Sequence, residues 1–301
     1  MKKKTLIIII IATVLVLAIA GTVLWFVFGK VKIGKRAMDN GIDKVVAVPE
    51  NMTEMVEEYI ELEGVKYKLT FFDDFVGTDI DLTKWSRCPE WPRQNVGGYW
   101  DDDMITVEDG NLVITSALKK DGTPISGAIR SKEKFEQAKG YFEIRAKLQT
   151  TTGFWGAFWL MNEEQRFAGG GGANGTAKDG AEIDIFESCN VPLWEINHAI
   201  HYDGYGQGRG SVTKTVTNRA AYDGDFHTFA LLWTDTAYVW YIDGEETFRI
   251  DENSSNYPGC CEVPAFMKIS SEFGTWAWSY DAKDLPDAWY VDYVKVYSSE
   301  Y

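Results

Sequence analysis

The chain has 301 residues, 45% hydrophobic, 14% aromatic and 25% charged, a composition that excludes a disordered or low-complexity protein. Its net charge is −15, and Lys2, Lys3, Lys4, Lys30, Lys32, Lys35 and Arg36 place seven cations and no acid in residues 1–36, so residues 37–301 carry −22. A domain that acidic repels nucleic acid and anionic membrane surfaces and speaks against highly charged polyanions as partners.

Lys2-Lys3-Lys4 precede an uncharged, mostly apolar run from Thr5 to Phe28. Its twenty-four residues, at about 1.5 Å each, reach across a hydrocarbon core of roughly 30 Å. Residues 1–36 therefore read as a membrane anchor with basic flanks and a transmembrane helix. The alternative is a signal peptide cleaved after Ala18-Ile19-Ala20, but Thr22–Phe28 continues the apolar run past that site. Residues 37–65 read as a linker or stalk. Within them Met52, Met55, Val56 and Ile60 have helical spacing among Glu54, Glu57, Glu58, Glu61 and Glu63, which suits a short acidic helix or an unstructured tether.

From residue 66 onward the pattern is short strands and tight turns. Met104–Glu108 and Asn111–Ser116 flank Asp109-Gly110, and Ala237–Ile242 and Glu245–Ile250 flank Asp243-Gly244; both read as hairpins. Further strands are expected at Tyr141–Leu148, Gly156–Met161, Glu182–Glu187, Ile196–Tyr202, Phe226–Trp233, Ala265–Ser271 and Tyr290–Tyr297. No long helical period interrupts them, which predicts an all-β, antiparallel β-sandwich over 66–301. The Gly-rich stretch 168–180 lacks the Gly-Lys-Ser/Thr ending of a phosphate loop and precedes a strand, so a rim loop is expected there. Cys88, Cys189, Cys260 and Cys261 have no zinc spacing, and no disulfide connectivity follows from them.

The segment richest in chemistry is Glu182-Ile183-Asp184-Ile185-Phe186-Glu187. Carboxylates in so apolar a run are costly unless paired, hydrogen-bonded or used. On a regular strand Glu182 and Asp184 share a face and Glu187 takes the other. One extra residue, a β-bulge, returns Glu187 to the face of the first two, with Ile183 and Ile185 facing a core. Two glutamates on one cleft face with an aspartate between them are the parts of a glycoside hydrolase, and crowding should raise at least one carboxyl pKa.

This Glu-x-Asp-x-x-Glu spacing resembles the bulged active-site motif of glycoside hydrolase family 16, the laminarinase-like enzymes. The flanks resemble it too, in the family's order: Phe71–Phe75, Glu108–Leu112, Gly140–Lys147, Gly153–Trp159, Asp225–Thr228 and Val291–Tyr297. The resemblance implies a two-sheet, concanavalin-like jelly roll. It also implies a retaining mechanism with Glu182 as nucleophile, Glu187 as acid and base, and Asp184 tuning the site. Trp155 and Trp159 match tryptophans that stack on sugars, although Gly156 stands where the family has proline. His201 matches a family histidine, and His198 falls on the opposite strand parity. Trp91, Asn95, Trp100 and Trp276 are expected as loop walls of the cleft. Arg130 lies two positions after Ala128, where many relatives carry an arginine. No cofactor is expected for catalysis, but the family's structural calcium would find Asp292 and the Gly110 carbonyl. The expected partner is a polysaccharide, with membrane contact through the terminal helix, no nucleic acid, and a monomeric protein whose catalytic domain lies outside the cell. The leading expectation is an endo-acting enzyme on neutral β-1,3- or mixed β-1,3/1,4-glucan. A β-galactan hydrolase, a cell-surface transglycosylase and a non-catalytic glucan-binding module are the alternatives.

Overall fold

Two β-sheets packed face to face make up the structure, a computed structural model that describes residues 58–88, 92–93, 98–163, 173–274 and 277–299. The apolar run 5–28 lies outside the described residues; among those described, no helix is long and apolar enough to cross a membrane. One sheet runs in the order Gly210–Thr217, Glu195–Tyr202, Ala181–Asn190, Phe154–Met161, Ala265–Phe273, Ala128–Arg130, Ser86–Arg87. The other has Glu245–Asp251, Ala237–Ile242, His227–Trp233, Gly140–Lys147, Asp287–Ser299 and Asn111–Leu118 as its spine. Pairing is antiparallel except where Gly98–Trp100 runs parallel to Pro124–Ser126. The strand Gly210–Thr217 was not anticipated. Its residues are mostly exposed polar groups with one buried valine, Val212, so its apolar alternation is weak.

Both expected hairpin turns form. Asp109 (φ 50°) and Gly110 (φ 74°) are both left-handed, as are Asp243 (φ 51°) and Gly244 (φ 78°), the signature of a type I′ turn whose twist suits the flanking strands. A third such turn, Glu63-Gly64, joins Tyr59–Leu62 to Val65–Asp73. The segment read as linker or helix therefore already contains a strand, and Ile60 pairs with Tyr67 across it. Met52, Met55 and Val56, the other members of the helical spacing, lie outside the described residues.

The inward residues of the two sheets form the core. Phe158, Leu160, Ile183, Phe186, Met267 and Ile269 of one sheet meet Phe142, Ile144, Phe229, Leu231, Trp240, Trp289 and Val294 of the other. Phe186 anchors it, with its ring 4.5 Å from Phe229 and 5.7 Å, edge-on, from Trp289. Gly156 is dictated by this packing rather than by a turn: a Cβ there would come within 2.8 Å of the Trp289 indole. All four cysteines are buried free thiols.

A smaller cluster lies on the outer face of the second sheet, where Ile60, Leu62 and Leu69 of the first hairpin pack on Tyr67, Tyr141, Leu232, Val239 and Tyr297. Glu58 ties it down, accepting from Tyr297 Oη (2.5 Å) and Lys295 Nζ (2.7 Å). Removing residues 1–36 is expected to leave a soluble, folded domain. Extending the deletion through Gly64 should lower stability by about 2 kcal/mol, because Ile60 and Leu62 no longer cover that cluster. Urea midpoints of the two truncations check this; equal midpoints would mean that the hairpin carries no stability.

Candidate active site

The strand Ala181–Asn190 carries the bulge that its sequence requires. Asp184 pairs with Trp159 and Phe186 with Phe158, so Ile185 is the extra residue with no partner on that side. The other neighbour agrees: Asp184 faces Ala199, and Glu187 faces Asn197. Glu182, Asp184 and Glu187 therefore share one face, while Ile183, Ile185 and Phe186 are fully buried.

A bulge frees backbone groups from the ladder, and buried ones need partners. Here the core provides them. Trp240 Nε1 donates to the Asp184 carbonyl at 2.9 Å, and His198 Nδ1 donates to the Ile185 carbonyl at 2.7 Å. A carbonyl only accepts, so His198 carries its hydrogen on Nδ1, and its Nε2 accepts from Thr247 Oγ1 at 3.0 Å. Burial pushes the His198 pKa down to about 4, which keeps the ring neutral. His198 thus points to the core, and its strand-mate of opposite parity, His201, points to the cleft.

The three carboxylates are not equivalent. Burial first, and the Asp184 charge second, raise the Glu182 pKa to about 7, partly offset by His201 and by Tyr205, whose hydroxyl donates to Glu182 Oε2. The same two causes, burial and then Asp184, push Glu187 well above the usual carboxylate range, against a hydrogen bond from Asn197 Nδ2 to its Oε2 at 3.0 Å. Thr215 Oγ1 donates to Asn197 Oδ1 (3.3 Å), which fixes the amide with its NH₂ toward Glu187. His201 Nε2 lies 3.4 Å from Asp184 Oδ2. Burial alone would lower the His201 pKa, but Asp184 and Glu182 outweigh it and raise it.

Neighbouring strands complete the cleft. Phe154–Met161 presents Trp155, Ala157, Trp159 and Met161; Ala265–Phe273 presents Phe266, Lys268, Ser270 and Glu272. Trp159 is fixed from below, its Nε1 donating to Ser270 Oγ (3.1 Å) and Lys268 Nζ lying 3.8 Å from its ring centroid. Lys268 pairs across the ladder with Arg130, which also lines the cleft and whose Nε is buried with no hydrogen-bond partner among the described residues.

A model of the β-porphyranase A–D type of glycoside hydrolase family 16 domain matches residues 67–299. The chain belongs to glycoside hydrolase family 16. It is 24% identical to the glucan endo-1,3-beta-glucosidase A1 of Niallia circulans, over 77% of this chain and 38% of that protein. It is 26% identical to the keratan-sulfate endo-1,4-beta-galactosidase of Sphingobacterium multivorum, over 77% of this chain and 55% of that one. The chain thus spans roughly half or less of these relatives' lengths. The endo-beta-1,3-glucanase structure from Pyrococcus furiosus superposes with a TM-score of 0.64 at 22% identity, over 81% of this chain and 98% of that one, a likeness of fold.

In this family 16 domain the cleft gathers Glu182, Asp184, Glu187, Trp155, Trp159 and Arg130, with His201 beside Asp184. Trp91, Asn95 and Trp276 lie outside the described residues. Trp100 does not form a wall. It is fully buried against Cys88, Ala128 and Trp159, and its indole donates to the Ser271 carbonyl at 3.0 Å. The strand Gly98–Trp100 joins the opposite sheet, and that pairing drives the ring beneath the cleft floor. Of the two expected calcium ligands, Asp292 has a competing partner, the Arg145 guanidinium, whose charge would repel a divalent ion. Among the described residues the one group of three acidic, His or Cys ligand atoms lying within 4.8 Å of one another is Glu182, Asp184 and His201.

Sequence reasoning missed Lys268, Ser270 and Glu272, although their period-two spacing against Met267, Ile269 and Ser271 was there to read. Asn197 carries the same kind of signal on the strand Glu195–Tyr202. Tyr205 sits in a Gly-rich turn and carries no periodic signal.

Proposed function

We propose that this domain is a retaining endo-β-glycosidase acting on a β-linked polysaccharide outside the cell. The observation that carries the reading is the bulge at Ile185, which places Glu182, Asp184 and Glu187 together on a cleft face beside Trp155 and Trp159 of the neighbouring strand. Glu182 attacks the anomeric carbon while Glu187 gives its proton to the departing glycosidic oxygen, so the C1–Oε bond forms as the glycosidic bond breaks. Glu187, now ionised, takes a proton from water, which attacks C1 and releases Glu182. Asp184, with His201 behind it, supplies the negative charge that holds the Glu187 proton in place. The apolar segment 5–28 tethers the domain to the membrane in this reading, with residues 37–57 as spacer.

The pH dependence follows from the two carboxyls. Glu182 must be ionised and Glu187 protonated. Activity should rise with pH through about 7 as Glu182 loses its proton, and fall at higher pH as Glu187 loses its own. The limbs belong to the coupled pair rather than to either residue. A pH series of kcat/KM checks this; activity already maximal at pH 5 would contradict a Glu182 held near 7.

Neutral β-1,3- or mixed β-1,3/1,4-glucan is the leading substrate, because the cleft offers stacking rings and hydroxyl partners within a domain of charge −22. An agaran-type β-galactan is the second reading, favoured by the porphyranase-type family match and by the Arg130–Lys268 pair on the cleft floor. Laminarin, barley mixed-linkage glucan, agarose and κ-carrageenan, assayed at low and high salt, separate them. Trp155→Ala or Trp159→Ala should weaken turnover of long chains at least about tenfold without altering salt dependence. Preference for carrageenan that falls steeply with salt would overturn the neutral-substrate reading.

A further inference from the structure

The turn after the strand Glu195–Tyr202 holds a residue that the double displacement does not by itself require. Tyr205 is 47% exposed, yet its hydroxyl reaches into the cleft, donating to Glu182 Oε2 and lying 4.0 Å from Met161 Sδ. A half-exposed aromatic side chain on a glycine-rich turn needs something to aim it. Asp203 does so. It is 2% exposed and left-handed (φ 62°), and its carboxylate is spent on another segment's backbone: Oδ1 accepts from Asn174 N at 2.9 Å and Oδ2 from Gly175 N at 3.0 Å. The far end of the turn is held as closely, since a Cβ at Gly208 would come within 2.9 Å of the Ala173 methyl. The turn is thus bonded to residues 174–175 ahead of Tyr205 and passes close to residue 173 behind it.

We propose that Tyr205, aimed by the buried Asp203, is a positioning residue that keeps Glu182 ionised and selects which of its oxygens attacks. The proposal rests on Glu182 being the nucleophile. With Oε2 engaged by the phenol, the other oxygen is left to form the bond to C1. A donor to a carboxylate favours its charged form, and here it opposes burial and the Asp184 charge, both of which favour the neutral one. Tyr205 keeps its proton throughout. In the first step the Glu182–C1 bond forms as the C1–O glycosidic bond breaks, with the proton coming from Glu187. In the second, Glu182 departs from C1 as a carboxylate, and the phenol stabilises it. Loss of the phenol should therefore slow release of the glycosyl ester more than its formation.

The test is the titration of Glu182 in the free protein, followed by NMR of ¹³C-labelled glutamate carboxyls and assigned with Glu182→Gln. Tyr205→Phe is expected to move that titration upward by about one pH unit and to shift the acidic limb of kcat/KM with it. Its kcat should fall about tenfold or more, and covalent glycosyl-enzyme should accumulate in the mass spectrum. Asp203→Asn, which turns one accepting oxygen into an amide, should shift the titration in the same direction. A Glu182 titration unchanged in Tyr205→Phe would overturn the proposal, and one shifted there but unchanged in Asp203→Asn would overturn its anchoring half. The nucleophile reading is tested separately on the wild type with 2-deoxy-2-fluoro-β-glycosyl fluorides of glucose- and galactose-based disaccharides. Labelling of a residue other than Glu182 would sink that reading, whatever Tyr205 does to the titration.

Discussion

Glu182→Gln and Glu187→Gln are each expected to lower polysaccharide turnover by at least about a thousandfold while leaving the unfolding midpoint nearly unchanged. The fold should tolerate both because the amide keeps the shape and the existing donors: Tyr205 still finds an oxygen at position 182, and Asn197 still finds one at 187. Turnover fails for different reasons. On the proposed mechanism, Glu182→Gln should form no covalent intermediate and Glu187→Gln should leave the departing group unprotonated, so substrates with good leaving groups should suffer less from the second change. Azide should rescue Glu182→Ala by occupying the vacated space and giving a glycosyl azide of inverted configuration. Wild-type product of inverted configuration, followed by NMR during the first turnovers, would rule out the retaining mechanism.

His198→Ala should cost about 3–5 kcal/mol of stability, although the residue touches no substrate. It leaves the Ile185 carbonyl without its partner, removes one of the two partners of the Thr247 hydroxyl and opens a cavity beside Trp240. Activity should fall with it, since the bulge those bonds hold is what turns Glu187 toward the cleft. The pH dependence has a definite sign. The folded His198 pKa of about 4 lies below the ordinary 6.5, so the unfolded chain binds the proton first. Stability should decline as pH falls from about 6.5 to about 4, by roughly 3 kcal/mol in total. His201 and His227 act oppositely: their raised pKa values give stability that is present below the unfolded pKa and lost as pH rises through the folded one. The His198 contribution is therefore the difference between wild type and His198→Ala, read from urea midpoints at pH 7.5, 6 and 4.5. Parallel pH curves for the two proteins would mean that His198 is not the group responsible.

Much of this was local enough to read in one dimension. That a bulge lies between Asp184 and Glu187 follows from side-chain parity, since the three acids share one face only with one residue inserted; that the inserted residue is Ile185 came from the strand pairing. The Asp-Gly turns were legible because the backbone conformation they need is nearly restricted to those residues. His201 and His198 separated by parity as well. Trp155 and Trp159 also reach the face their spacing gives them.

What escaped depended on partners far away in sequence. Trp100 looked like a cleft wall because a loop tryptophan beside polar residues carries no sign of which sheet its strand will join; pairing with residues 124–126 put it under the floor. Asp292 looked like a metal ligand until the register beside Gly140–Lys147 brought Arg145 to it. Ile60, read as one member of a helical spacing, lies instead in the strand Tyr59–Leu62, because strand pairing is invisible to local periodicity.

Sequence by itself determined the family, the sandwich class and the three acids, because each rests on residue type and spacing within a few positions. Only the tertiary structure decided how those acids differ. Asn197 and Tyr205 reach Glu187 and Glu182 from 10 and 23 positions away, and burial by neighbouring strands raises both carboxyls. Ionisation is set by the surroundings of a group in space, and a chain read in order gives the group without its surroundings.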